Sequence, residues 1–395
     1  MTAETSTPLI QRMKMKNILS FGSDSDGIDL LPLNVLIGTN GSGKSNFIEI
    51  VSLLRASVHD LRQVTRKGGG VTEWIWKGCP EGVAQIEWVF RHPRGLEALR
   101  HVLAFHTEGY RFALDDERVE FSQPQPGQVT PYFFYRYQQG RPVVNVREGG
   151  QRQLAQETIE PDRSILAQRR DPEAYPELAW LASNYERIRI YREWSFGRNS
   201  IFRSAQPPDG PSDGLEEDFS NLGLFLNRLK TREPKAAQSI LEGLSILYAG
   251  IRDFNVGIEG GSVRVFLREG DWVIPAERLS DGTLRYLCLL AILCDPNPPP
   301  LICIEEPELG LHPDVITQLA DQLIAASKRT QLIITTHSDI LVDALSEQPE
   351  SVVVCEKQRG ATILQRLSKE SLDAWLQKYR LGDLWISGEL GGTRW

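Results

Sequence analysis

The sequence of 395 residues has few of the side chains that build disulfide or metal frameworks, since it contains five cysteines and six histidines. The cysteines are scattered without zinc-type or redox-type spacing, and the histidines form no ligand pairs. Long apolar runs are also missing, because stretches such as residues 289–293 are far too short to cross a bilayer. These absences argue against a disulfide-rich secreted domain, a structural zinc module and a membrane-spanning helix.

An excess of positive charge is likewise missing, because 44 Lys and Arg residues face 52 Asp and Glu residues, for a net charge of −8. This balance argues against a protein that coats nucleic acid by bulk electrostatics, although a local basic patch stays compatible with it. The first residues lack the charged-then-apolar order of a secretory signal. Together with the dispersed cysteines, they lead us to expect a cytoplasmic protein.

What the chain does contain is the phosphate-loop pattern G-x-x-x-x-G-K-[ST]. An apolar stretch of strand length, residues 33–37, precedes it, and apolar residues with helical spacing follow it from Phe47 to Leu61. Glycines let backbone N–H groups surround a phosphate at a helix N-terminus. We therefore predict that ATP is held by Gly38, Asn40, Gly41, Ser42, Gly43, Lys44 and Ser45. Lys44 would reach the β- and γ-phosphates and Ser45 would hold Mg²⁺, whereas the plain alternative is a Gly-rich turn that binds nothing.

Three stretches differ in pattern along the chain. Residues 1–160 carry the loop and then alternating runs typical of short antiparallel strands with one wet face. Residues 161–250 read as mainly helical. Residues 251–395 alternate compact apolar strands with helical patterns, as in a parallel sheet. No internal repeat or heptad array is present.

The third stretch contains the further candidate residues. Ser280, Asp281 and Gly282 form a polar turn that opens an apolar helix, although Ser280 would also serve as a plain N-cap. Glu305 and Glu306 follow an apolar strand, and His337 follows the next one. Since the C-terminal ends of parallel strands line the ligand crevice, we expect the loop, the glutamates and His337 to converge.

This set of motifs resembles the ABC-type ATPase heads of the RecF, SMC and OLD (overcoming-lysogenisation-defect) group. The matching parts are Lys44 and Ser45 (Walker A), 279–283 (signature), Glu305 and Glu306 (Walker B), 309–313 (D-loop region) and His337 (switch histidine). The resemblance covers both ends of the chain and hardly the middle. It implies an α/β fold: a P-loop NTPase of the ABC type with an antiparallel β subdomain and a mainly helical insert.

The resemblance also implies a mechanism, in which two copies clasp ATP between one subunit's Walker A and the other's Ser280, Asp281 and Gly282. Glu306 would polarise the attacking water, and His337 would act at the hydrolysed phosphate. Glu305 would act at Mg²⁺ with Ser45, and Gln168 is our candidate for the group's Q-loop glutamine at the metal. The chain departs from transporter cassettes by having Ser-Asp-Gly-Thr for Ser-Gly-Gly-Gln, and it has Glu305 where Asp is usual.

Three functions remain open at this point. The leading one is an ATP-hydrolysing switch that forms a homodimer or higher oligomer and controls a separate effector in bacterial defence. A nuclease is the candidate effector, because no acidic cluster with metal-binding spacing follows His337 in the sequence. The alternative is a RecF-like DNA-repair or DNA-loading ATPase; Arg187, Arg189, Arg192, Arg198 and Arg203, interleaved with aromatics, could contact nucleic acid. A strand with arginines on its wet face explains the same pattern. A membrane-transporter ATPase fits the signature less well.

Overall fold

The structure, a computed structural model, describes residues 8–138, 140–146, 150–153, 160, 162–194, 197–198 and 200–392. These residues form two compact units. The first, here named the phosphate-loop unit, comprises residues 8–188, 350–368 and 388–392. The second, named the carboxylate unit, comprises Arg189–Pro349 and Lys369–Ser387. The boundaries predicted at 160 and 250 follow changes in sequence pattern, whereas the two units follow spatial proximity.

The described residues contain strands in both units. They are β1 Ile10–Lys16, β2 Ile28–Asp29, β3 Leu33–Ile37, β4 Ala84–Phe90, β5 Leu99–Glu108, β6 Arg111–Phe121, β7 Phe133–Gln138, β8 Arg141–Val146, β9 Gly150–Gln153, β10 Arg189–Tyr191, β11 Ile251–Glu259, β12 Ser262–Glu269, β13 Trp272–Pro275, β14 Leu301–Glu305, β15 Gln331–Thr335, β16 Val352–Gln358 and β17 Ala361–Arg366.

Helices lie between these strands. They are α1 Lys44–Ser57, α2 Leu61–Lys67, α3 Val71–Trp74, α4 Pro176–Glu186, α5 Leu222–Arg232, α6 Pro234–Leu247, α7 Asp281–Leu293, α8 Pro313–Ser327, α9 Asp339–Asp343, α10 Lys369–Leu376 and α11 Leu381–Ile386. No helix in the described ranges is long and apolar enough to span a membrane.

The phosphate-loop unit contains an antiparallel sheet of eight strands in the order β2-β1-β4-β5-β6-β7-β8-β9. Burial alternates along β4, where every second side chain enters the core. This pattern is the one expected of a sheet with one wet face, so the prediction of an antiparallel β subdomain is confirmed. In the same unit, all five residues of β3 are buried and β3 pairs in parallel with β16. β17 pairs with β16 in the antiparallel direction.

The carboxylate unit contains three parallel strands in the order β10-β14-β15, where Glu305 lies opposite Thr335. The compact apolar runs predicted at 301–304 and 331–335 are β14 and β15, and both are buried apart from Glu305. The alternating Arg-Ile run around Arg189 forms β10, which is the strand reading of that segment. Helix α7 buries ten consecutive residues beyond its first turn, and β11, β12 and β13 form a separate antiparallel sheet.

The helix after the phosphate loop is shorter than its apolar spacing predicts. The pattern runs from Phe47 to Leu61, but α1 ends at Ser57 and α2 begins at Leu61. Asp60 explains the break, because its side chain accepts a hydrogen bond from the Arg62 N–H and so starts a new helix. Leu61, the last residue of the apolar pattern, is buried as the apolar residues of α1 are, so the apolar spacing continues past the break without marking it.

Candidate functional site

The phosphate loop joins the buried strand β3 to the first turn of α1. Three of its glycines have positive φ angles: 144° at Gly38, 77° at Gly41 and 106° at Gly43. A side chain at Gly38 would collide with the Cys355 carbonyl oxygen, and one at Gly43 would lie 2.7 Å from the Ser20 hydroxyl. A side chain at Gly41 would meet nothing within 4 Å. The loop therefore needs two glycines for packing and is open at the third.

The Lys44 side chain lies inside the loop that it follows. Its Nζ donates hydrogen bonds of 2.8 Å to the Gly38 carbonyl and 3.0 Å to the Thr39 carbonyl. The residue is only 6 % exposed, so its ammonium is held where the loop's backbone curves around it. The Ser45 side chain, one residue later, is exposed. The Lys44 ammonium and the exposed Ser45 side chain therefore both lie at the start of the 14-residue helix α1.

A second segment of the same unit braces the loop from outside the motif. The Thr362 hydroxyl on β17 donates to the Ser42 carbonyl at 2.8 Å and contacts the Ser20 hydroxyl at 2.7 Å. The Thr362 N–H also donates to the Ser20 carbonyl at 2.7 Å. Nothing in the spacing of the motif points to Thr362, which lies more than 300 residues downstream, so sequence reasoning missed it.

The loop retains one feature that fits a ligand. The Ser42 hydroxyl is buried and has no hydrogen-bond partner among the described residues. An unsatisfied buried hydroxyl is unfavourable unless something else completes it. A phosphate group, with several acceptor oxygens, would do so. The positive end of the helix dipole favours the same negative charge.

Gln168, the candidate Q-loop residue, has its amide group engaged in a turn. Its Nε2 donates to the Glu160, Arg163 and Ser164 carbonyls at 2.9–3.4 Å, and its Oε1 accepts from the Glu160 N–H at 2.9 Å. Binding a metal would require some of these bonds to break. Its metal role stays a prediction, and the observed contacts describe a residue that stabilises the 160–168 segment.

In the carboxylate unit, Glu305 ends β14 with both of its oxygen-bearing groups bonded. Its Oε1 accepts from Arg192 Nη2 at 3.0 Å, and its backbone carbonyl accepts from Trp194 Nε1 at 2.9 Å. The arginine was a candidate for nucleic-acid contact in the sequence, but here it neutralises a carboxylate of its own chain. Any cation that binds Glu305 must therefore share it with Arg192.

Glu306 begins the turn after β14 in an unusual backbone conformation, with φ of 46°. Four hydrogen bonds among the described residues hold it there. Its N–H donates to the Thr335 carbonyl at 2.9 Å and to the Thr335 hydroxyl at 3.3 Å, while its carbonyl accepts from Arg285 Nη2 at 2.6 Å and from the Leu309 N–H at 3.1 Å. A non-glycine residue in this region is strained and persists only where the surroundings fix it.

The Glu306 side chain faces His337. His337 Nε2 lies 3.6 Å from Glu306 Oε1, and the two side chains are 29 % and 42 % exposed respectively. Both groups can therefore reach solvent while contacting each other. The structure thus brings together two residues that lie 31 positions apart in the chain, as predicted from their shared place at the ends of parallel strands.

Ser280 caps α7, since its hydroxyl accepts from the Thr283 N–H at 3.1 Å. Asp281 accepts from the Gly197 N–H at 3.2 Å and forms an ion pair with Arg203. Arg203 is buried and also donates to the Leu279 carbonyl at 2.7 Å, so it holds the turn from both sides. At Gly282, an added side chain would lie 2.9 Å from the Gly310 carbonyl. The turn and the 309–313 segment therefore pack closely within one chain.

Arg285, one helical turn after Ser280, connects this turn to the glutamates. Its guanidinium lies 4.4 Å above the Trp194 ring centroid while bonding the Glu306 carbonyl. Burial lowers the pKa of Arg285 to about 10, and the nearby Glu308 and Glu306 act in the opposite direction. The residue is still charged at neutral pH. The sequence offered no signal for it beyond its place in an otherwise apolar helix.

A family profile described as "AAA domain, putative AbiEii toxin, Type IV TA system" matches residues 33–343. The match includes the phosphate loop, the polar turn, the glutamates and His337. The chain belongs to this family. Among curated proteins, no relative matches. Membership rests on more than three quarters of the sequence and identifies an AAA-type ATPase domain.

Solved structures with the same fold are heads of Smc proteins. One is an Smc head bound to the C-terminal winged-helix domain of ScpA, with TM-score 0.57 and 15 % identity, matched over 92 % of this chain and 99 % of that one. Another is an Smc head with an extended coiled coil from Pyrococcus furiosus, bound to the C-terminal domain of ScpA, with TM-score 0.55, 14 % identity and coverage of 94 % and 99 %. At these identities the likeness establishes the fold, and it confirms the predicted ABC-type ATPase head.

The described residues are better suited to binding a nucleotide than to binding a metal ion without one. The fold implies nucleotide binding, and the open Gly41, the unpartnered Ser42 hydroxyl and Lys44 suit a phosphate chain. No group of three or more His, Cys, Asp or Glu side chains in the described ranges could hold a metal by itself. Mg²⁺ commonly takes one or two protein ligands together with phosphate oxygens and water, and the exposed Ser45 at the start of α1 offers a hydroxyl oxygen of that kind.

Proposed function

We propose that this chain is an ATP-hydrolysing molecular switch that dimerises on ATP and controls a separate effector protein in bacterial defence. The phosphate loop holds the triphosphate through Lys44 and the N–H groups around Gly41 and Gly43. The Ser45 hydroxyl and Glu305, the latter directly or through water, would hold Mg²⁺, which would supply charge neutralisation at the phosphates. Ser280, Asp281 and Gly282 of a second copy close over the γ-phosphate.

The hydrolytic step uses Glu306 as the general base. Its carboxylate accepts a proton from a water molecule as the water oxygen attacks the γ-phosphorus, and the bond from that phosphorus to the bridging oxygen breaks. ADP leaves with the electron pair of that bond, and inorganic phosphate is the other product. His337, beside Glu306, orients the carboxylate and interacts with the departing phosphate.

The observation that carries this proposal is the contact between Glu306 and His337. Hydrogen bonds to its backbone N–H and carbonyl fix Glu306 in its left-handed conformation, which directs its carboxylate to within 3.6 Å of the imidazole. Unusual backbone geometry maintained by surrounding bonds is common at reactive positions. Both side chains are partly exposed, so a water molecule and a phosphate can reach them.

The family description supports the defence part of this proposal, since it names a toxin of a TA system. The described residues contain no group of three or more His, Cys, Asp or Glu side chains that could hold a metal. We therefore assign any cutting of nucleic acid to a separate effector protein, with nucleic acid as the candidate trigger of the switch.

The experiment that tests the switch is substitution Glu306→Gln. Removing the base should lower the rate constant for ATP hydrolysis by about 10²–10⁴-fold while nucleotide binding persists. The variant should then accumulate as an ATP-bound dimer, seen by light scattering on a sizing column with ATP and Mg²⁺. Glu347→Gln, at an exposed glutamate of the same unit, is the matched control. A monomeric Glu306→Gln variant with ATP bound would refute the switch.

A DNA-loading role is less well supported by the contacts. Arg192 pairs with Glu305, and Arg203 is buried against the turn before α7. Of the aromatics interleaved with these arginines, Phe196 lies outside the described residues. Salt-sensitive, ATP-dependent binding of duplex DNA by the purified chain would nevertheless favour that function over effector control.

A further inference from the structure

A third glutamate of the turn after β14, Glu308, has no part in the proposed chemistry but is held firmly. Its Oε1 accepts two hydrogen bonds of 2.8 Å, from the Thr336 hydroxyl and from the His337 N–H. Its Oε2 is buried without a hydrogen-bond partner in the described part of the chain. Burial raises the pKa of Glu308. Keeping a carboxyl group in such a place is unfavourable, so its contacts call for an explanation.

These contacts join the two segments that carry the proposed catalytic groups. Glu308 lies two residues after Glu306 and binds the residues that follow β15. In return, the Glu306 N–H donates to the Thr335 carbonyl at 2.9 Å. The turn after β14 and the end of β15 are therefore fastened to each other at both sides of the Glu306–His337 contact.

We propose that Glu308 is a positioning residue for ATP hydrolysis, which fixes the direction from which the His337 imidazole approaches the Glu306 carboxylate. Its Oε1 accepts a hydrogen bond from the His337 backbone N–H, so that the backbone that carries the imidazole cannot rotate. Glu308 touches neither nucleotide nor attacking water, and its influence passes through His337. This inference rests on the proposed function of Glu306 and His337.

Two substitutions separate positioning from general support of the fold. Glu308→Gln keeps an acceptor oxygen for both hydrogen bonds, whereas Glu308→Ala removes it. Thr336→Val removes the hydroxyl that donates to Glu308 and also accepts from the Ser338 N–H, but it leaves the His337 N–H bond to Glu308 in place. It provides a second route if Glu308→Ala does not fold. Glu347→Ala, at an exposed glutamate of the same unit, is the matched control.

Steady-state kinetics gives the first readout. Glu308→Ala should lower kcat by about 10–100-fold with little change in KM for ATP, because misplacing a reactive group by about 1 Å has effects of that order. Glu308→Gln should recover most of the rate, and Thr336→Val should fall between them. The double variant Glu308→Ala/His337→Ala should be no slower than His337→Ala alone. Additive losses in the double variant would overturn the inference.

Hydrogen exchange gives a second readout that does not depend on hydrolysis. The His337 amide should exchange at least about tenfold faster in Glu308→Ala than in the wild type, and at the wild-type rate in Glu308→Gln. An unchanged rate in Glu308→Ala would overturn the positioning role even if the wild type hydrolyses ATP. Faster exchange in a protein that does not hydrolyse ATP would support the role of Glu308 in placing His337 and would count against the proposed function.

Discussion

The Lys44 ammonium lies within 3.0 Å of two loop carbonyls, where it is the only charged side chain inside the phosphate-loop motif. Lys44→Ala should weaken ATP binding by about 10–100-fold, because charge-assisted hydrogen bonds contribute about 1.5–3 kcal/mol. Calorimetric titration with a non-hydrolysable ATP analogue measures this change. Lys67→Ala, at an exposed lysine of the same unit, should bind normally. Equal affinities for both variants would contradict the assigned role of Lys44.

Two glycines of the loop differ in a way that a stability measurement can detect. An alanine at Gly38 has an unfavourable φ of 144° and collides with the Cys355 carbonyl, whereas one at Gly41 has an unfavourable φ of 77° in open space. We expect Gly38→Ala to lower the free energy of unfolding by about 2–3 kcal/mol and Gly41→Ala by about 1 kcal/mol. Urea denaturation midpoints test the order. Similar midpoints would show that the backbone at Gly38 can relax.

At this scale, motif spacing was enough to select the candidate residues for the chemistry, but it did not reveal which contacts hold them in place. Gly38 to Ser45 follow a pattern whose physical basis is local. Thr362 and Glu308 are recognisable only once the chain has folded, because hydrogen bonds across 320 and 28 residues leave no periodic trace. Single-sequence reasoning had no basis for selecting one threonine or one glutamate from the many in the chain.

At the scale of elements, the first turn of α7 depends on one buried side chain. Arg203 donates to the Leu279 and Ala276 carbonyls and pairs with Asp281. Arg203→Met keeps most of the apolar bulk but removes the donor to the Leu279 carbonyl and the ion-pair partner of Asp281, at a cost of about 1–3 kcal/mol. We expect a lower melting temperature and loss of ATP-dependent dimerisation in the Glu306→Gln background.

The loop and its nucleotide affinity should survive that change, since Arg203 bonds the Ala276, Glu277 and Leu279 carbonyls and the Asp281 carboxylate, all within the carboxylate unit. Arg232→Met, at an exposed position ending α5, is the matched control and should dimerise normally. Sizing chromatography with light scattering reports the dimer, and titration reports the affinity. Normal dimerisation by Arg203→Met would show that the turn before α7 does not need this support.

Elements were predicted well where burial imposes a period and less well where a cap intervenes. The five-residue buried strands β3, β14 and β15 could be read directly from compact apolar runs. The end of α1 could not, because the apolar spacing continues to Leu61, past the break that the Asp60 cap marks. β10 was read correctly as a strand from its alternation, but its arginines were also weighed as a nucleic-acid surface. Only the fold shows that Arg192 is used within the chain.

At the scale of the whole molecule, the proposal requires two copies, each lending its turn before α7 to the other's phosphate loop. Two inactive variants should therefore complement each other. Lys44→Ala lacks the loop lysine but has an intact Ser280, whereas Ser280→Arg has the lysine but a blocked turn. In a mixed dimer, the loop of the Ser280→Arg copy meets the turn of the Lys44→Ala copy, so one site is complete and the other carries both changes.

Each variant alone should hydrolyse ATP at a small fraction of the wild-type rate, because every site in a symmetric dimer contains one defect. An equal mixture should recover about a quarter of the wild-type rate per chain, since about half of the dimers are mixed and each has one complete site. A second mixture, of Lys44→Ala with Glu306→Gln, tests whether Glu306 acts on the nucleotide bound by its own chain. If it does, every site in this second mixture carries one defect and no activity returns. Failure of the Lys44→Ala and Ser280→Arg pair to complement, with both variants folded, would mean that ATP is handled within a single copy.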